Sequence, residues 1–141
     1  LTFGSKFNRS LAHSLDKLTS LTHINFGKFF NQPLDNALEN CTSLSHINFG
    51  EFFNQPLGNA LDNCTALTHI NFGDEFNQPL DNLFYNCTSL VHLGLGYNFA
   101  QKVELPFNIR FLSLNCCDMY FVENLPDTIE EIELGWVGMG F

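Results

Sequence analysis

Four histidines stand at one spacing: His23, His46, His69 and His92, each 23 residues after the last. Imidazole ligates metals and exchanges a proton near neutral pH. If the spacing is structural, the four rings lie on neighbouring rungs of one face. Neutral imidazoles there could share a divalent ion, but no carboxylate or thiol on that face completes a set near them, and no metal is expected. Crowded imidazoles should also resist joint protonation, which would make docking on that face sensitive to pH. The plainest account is duplication, one tolerated polar residue copied with its unit.

Other chemistry-bearing residues follow the same beat. Cys41, Cys64 and Cys87 recur at the same period, while Cys116 and Cys117 are adjacent. Neither arrangement is a C-x-x-C metal or redox motif, and the thiols read as buried small hydrophobes. Stacked rungs would bring three of them to disulfide-compatible separations and strand the third, which disfavours an oxidising compartment. Glu131 and Glu133 would point the same way on one strand. A paired-carboxylate hydrolase needs a cleft around such a pair, and no cleft-forming insertion is present. Sequons at Asn8, Asn40, Asn63 and Asn86 could carry glycans in a secreted protein, but three are one Asn-Cys-Thr copied with the repeat. Gly27, Gly50, Gly73 and Gly96 are not spaced as a nucleotide-binding loop, and are expected to permit a tight exit or positive φ after a strand.

Composition narrows the classes further. The chain has 141 residues, of which 45% are hydrophobic and 16 are phenylalanine. One domain, 1–141, is expected. Net charge is −9 with only 6 Lys plus Arg, so nucleic acid and anionic membrane surfaces would be repelled. No apolar run reaches membrane-spanning length, and no signal peptide is evident. The chain opens at Leu1 inside a repeat without an initiator Met, so a segment of a longer protein is expected.

These residues must be positioned by the repeat itself. Leu21, Leu44, Leu67 and Leu90 mark its first position, and a period of this size indicates a solenoid. Ile24 and Phe26 alternate with polar His23 and Asn25, which argues a short half-buried strand. Leu34, Ala37, Leu38 and Cys41 follow i, i+3, i+4, i+7, one face of a short helix. Asn31 suits its N-cap and Pro33 its first turn, with Asn8, Asn54 and Asn77 in equivalent places. The 23-residue units run over 1–104, and shorter units built on Leu105-Pro106 and Leu125-Pro126 run over 105–141. Extended returns should replace the helix there. The expected architecture is an α/β solenoid of about seven short parallel strands, the first at Leu1–Gly4, with phenylalanines as its internal spine.

The L-x-x-I-x-F unit resembles leucine-rich repeats. The A-L-x-N-C-T-S-L stretch is similar to BspA-like repeats, and F-N-Q-P-L with the later Leu-Pro units resembles FNIP repeats of amoebae and giant DNA viruses. Some FNIP-type proteins carry an F-box and recruit substrates for ubiquitination; no F-box is visible here. The resemblance implies no shared active site, no enzyme and no cofactor. It implies a non-catalytic protein–protein interaction scaffold, in host cytoplasm or a virion rather than secreted. Contact candidates on the strand face are His23, His46, His69, His92, Asn48, Asn71 and Phe111. Phe111 is either an exposed anchor or buried by curling of the shorter repeats. The alternative is a structural component of a larger assembly, such as a virion or cell surface. Its open ends, Leu1 and the apolar LGWVGMGF, would dock on neighbouring chains.

Overall fold

In the computed structural model, residues 1–115 and 124–135 are described. Isoleucine or leucine at the centre of each repeat, flanked by polar residues, gives strands one residue deep in the core. Six follow in order: β1 His23–Asn25, β2 His46–Asn48, β3 His69–Asn71, β4 His92–Leu95, β5 Phe111–Leu114 and β6 Glu131–Leu134. They form one sheet in sequence order, every pair parallel. The register is one repeat per step, so His23 pairs His46, His46 pairs His69, His69 pairs His92 and His92 pairs Phe111. The strand expected at Leu1–Gly4 is a single parallel bridge from Thr2 to Asn25. Among the described residues, six strands therefore stand where about seven were expected.

The core is a set of columns. Ile24, Ile47, Ile70 and Leu93 are fully buried beneath the sheet. Phe26, Phe49 and Phe72 stack at 5.1 and 5.2 Å between ring centroids. Phe30, Phe53, Phe76 and Phe99 form a second column at 6.0 to 6.1 Å. Within a rung the two columns touch, as Phe49 and Phe53 do at 4.2 Å. Offset, near-parallel rings add to the stabilisation from burial. Each copy thus supplies half of its neighbour's interior, as a solenoid requires.

The returning segments are not helical. Leu34, Ala37, Leu38 and Cys41 are all buried, but their backbone is closed by three-residue steps, Ala37 N to Leu34 O, Cys41 N to Leu38 O and Leu44 N to Cys41 O. The residue after the first buried leucine is left-handed in three units: Ala12 at φ 35, Asp35 at φ 45 and Gly58 at φ 49. A right-handed helix cannot contain that conformation. Successive tight turns bury the same side chains instead, so the fold is a parallel-strand β-solenoid. Among the described residues, both the long and the short repeats return without helix.

Two further corrections concern polar columns. Asn31 does not cap a helix; its Oδ1 accepts from the Asn54 backbone N–H at 2.9 Å and from Gln55 Nε2 at 3.1 Å. Asn8, Asn54 and Asn77 do the same for the following rung, so the column is an inter-rung tie. Gly27, Gly50, Gly73 and Gly96 are needed for close approach rather than positive φ. A Cβ on Gly50 would collide with the carbonyl oxygen of Gly27, and each of the others would meet its predecessor likewise.

Candidate interaction surface

Strand alternation sends Ile24, Ile47 and Ile70 inward and leaves the histidines and asparagines on the outer face. The four imidazoles stack as expected from their spacing. Ring centroids are 4.2 Å apart for His23 and His46, 4.3 Å for His46 and His69, and 5.3 Å for His69 and His92. Beside them runs a ladder of amides. Asn48 Nδ2 donates to Asn25 Oδ1 at 2.7 Å, and Asn71 Nδ2 to Asn48 Oδ1 at 2.8 Å.

The preceding hydroxyls fix the ring state, a role the sequence reading missed although Thr22, Ser45 and Thr68 each stand directly before a histidine. Ser45 Oγ spends its one hydrogen on Thr22 O at 2.9 Å. Its 2.8 Å contact to His46 Nδ1 therefore requires the ring to donate. Thr68 repeats this, donating to Ser45 O at 3.0 Å and accepting from His69 Nδ1 at 2.8 Å. Val91 has no hydroxyl, and Gly94 stands where the three preceding rungs have asparagine. His92 instead donates from Nε2 to Asn71 Oδ1 at 3.1 Å. A Cβ at Gly94 would strike that same Asn71 oxygen.

Burial pulls His46 and His69 below the ordinary histidine value, and neighbouring imidazoles lower both further. Burial also lowers His92, against an upward pull from Glu133 and a further lowering by His46. The column thus favours neutral rings. Among the described residues, no three His, Cys, Asp or Glu are grouped to hold a metal ion.

Beyond His92 the face changes character. Phe111 is half-buried, and the Arg110 guanidinium lies 5.5 Å from its ring centroid. It is thus neither fully exposed nor part of the buried core. Glu131 and Glu133 share the face and are exposed; Ser113 Oγ donates to Glu133 at 3.3 Å. His92, Phe111, Ser113 and both glutamates line one shallow hollow.

Cys41, Cys64 and Cys87 are free and buried. Cys116, Cys117 and most of LGWVGMGF lie outside the described residues. Asn8, Asn40, Asn63 and Asn86 are exposed, and Asn63 Nδ2 is held by Glu39 O at 2.9 Å. Among the described residues, no helix is long and apolar enough to cross a membrane.

Repeating parallel strands, a leucine-phenylalanine core and an outer polar strand face define a leucine-rich-repeat solenoid. The BspA-type leucine-rich-repeat region matches residues 1–108 in 6 copies, and the chain belongs to that family. Its fold is similar to the crystal structure of CroV588, described as a novel circular LRR protein structure, with a TM-score of 0.77 and 33% identity. That match covers 96% of this chain, which spans only 20% of the CroV588 chain. No curated protein matches the chain. Leucine-rich repeats generally mediate protein–protein interaction.

Proposed function

We propose that this chain is a non-catalytic protein–protein interaction scaffold that recognises its partner through the outer strand face. One observation carries the reading: the asparagine ladder is hydrogen-bonded from rung to rung, and the stacked His46 and His69 rings are each fixed by the hydroxyl that precedes them. A face ordered before binding loses little side-chain entropy on association. His23, His46, His69, His92, Asn48 and Asn71 supply polar contacts, and Phe111 supplies an apolar anchor at the end of the column. Within the family, we read the F-N-Q-P-L and Leu-Pro units as FNIP-type.

The test compares proteins captured from native lysate by the unaltered chain and by a variant carrying His46→Ala, His69→Ala and Phe111→Ala. A protein held by the first and lost by the second, at equal thermal stability, supports the reading. Identical captures, or capture only of further copies of this chain, would overturn it and favour a structural component of a larger assembly.

A further inference from the structure

The long and short repeats do not match where they meet. Leu67 and Leu90 are 23 residues apart, but Leu90 and Ile109 only 19. The shortened return over 104–108 runs beside the preceding return, whose Leu80 and Phe84 are buried while Tyr85 projects outward. A cleft of about 310 Å³ opens between them, with Leu80, Phe84 and Pro106 in its lining. Its far side is tied by Asn108 Nδ2 donating to Thr88 O at 2.6 Å.

The residues at this junction differ from their counterparts elsewhere. Leu38-Glu39 and Leu61-Asp62 become Phe84-Tyr85 in the last long repeat. Tyr85 is 83% exposed and Phe107 on the opposing return 91% exposed, yet both line the same cleft. Glu104, exposed, lines it as well. Aromatic faces attract cations, and a carboxylate beside them adds a full opposite charge. The leucine and proline lining suits the methylene stem of a long basic side chain. The chain's net charge of −9 draws cationic segments and repels acidic ones.

We propose that this cleft binds a basic side chain, lysine or arginine, presented by an extended segment of a partner protein. The site lies on the returning segments and is independent of the strand face. A cleft of about 310 Å³ is on the scale of one long side chain.

The test uses the whole chain and capped glycine-serine heptapeptides with a central arginine or a central norleucine. Tyrosine and phenylalanine ring-proton shifts in NMR report binding. The arginine peptide should give a saturable shift of both rings and the norleucine peptide about tenfold weaker binding. Tyr85→Ala and Phe107→Ala should each weaken the arginine peptide about tenfold, and Glu104→Gln by a smaller factor. Raised salt should weaken it further. Both rings are largely exposed, so these variants should keep the parent melting temperature, and His46→Ala with His69→Ala should bind as the parent does. Equal binding of the two peptides, absence of a saturable shift, or indifference to Phe107→Ala would overturn the proposal.

Discussion

His92 donates from Nε2 to Asn71 Oδ1 across 3.1 Å, joining the end of the imidazole column to the end of the amide ladder. His46 and His69 donate from Nδ1 instead, to Ser45 and Thr68. The neutral column therefore holds two tautomers, and the change falls where Val91 and Gly94 remove the hydroxyl and the asparagine. Long-range proton–nitrogen NMR at neutral pH should show Nδ1–H for His46 and His69 and Nε2–H for His92. Finding His46 and His92 in the same tautomer would contradict this arrangement.

Acid should weaken the fold through the same column. His46, His69 and His92 titrate below their unfolded value of about 6.5. Between the folded and unfolded values the unfolded chain binds more protons, so stability rises with pH there. Urea midpoints should be highest above about pH 6.5 and fall as pH is lowered through it, levelling below the folded values. Replacing His46 and His69 with glutamine should flatten that slope. The same slope in the variant would assign the pH dependence to other groups.

Phe53 is fully buried and packs on Phe30, Phe49 and Phe76. Phe53→Ala should cost about 3–5 kcal/mol through the cavity it leaves. Chemical denaturation gives the number directly, and a loss under about 1 kcal/mol would mean that the phenylalanine columns do not hold the rungs together.

The three stacked thiols, Cys41, Cys64 and Cys87, should be silent in the native protein. Burial holds Cys64 up at about 12 and Cys87 up at about 11, and pushes Cys41 upward too. At pH 8 almost none of the first two is thiolate, the reactive form. A thiol reagent should modify these three at the rate at which the solenoid opens, and denaturant should accelerate labelling in step with unfolding. Rapid modification of Cys64 under native conditions would contradict its burial.

Glycine at the strand exit should be far less replaceable than glycine elsewhere. A Cβ on Gly50 meets the Gly27 carbonyl, whereas a Cβ on Gly4 has nothing within 4 Å. Gly50→Ala should cost about 1–3 kcal/mol and Gly4→Ala close to nothing. Equal thermal shifts for the two would remove close approach as the reason for the glycine column.

Much of this was legible from the period alone. Ile24, Phe26, Phe30 and Leu34 repeat with it and all are buried. The stacking of His23 on His46 follows from the same spacing, since a parallel one-repeat register superposes equivalent residues. The helix was misread because i, i+3, i+4, i+7 burial is also produced by consecutive tight turns. Ala12, Asp35 and Gly58 share a left-handed conformation without sharing a residue type, so composition at that position gives little warning. The role of Ser45 depends on where its single proton goes, which pattern does not state. The junction cleft arises from the difference between two repeat lengths, and only the packed backbone shows what that difference leaves open.

The contact between successive strand-exit glycines also sets how this molecule can change its length. From Gly27 to Gly96 each glycine lies against the carbonyl of the one before it, beginning with that of Gly4. A further 23-residue unit inserted in register would find, on both of its faces, surfaces it already fits. Growth or loss by whole units needs no new interface, as in other arrays stabilised by nearest neighbours. A gain of one residue within a unit would instead put a side chain against a neighbouring backbone and shift every column beyond it. Along the 23-residue units the length of the surface is thus free to drift in steps, while the cross-section there is held constant.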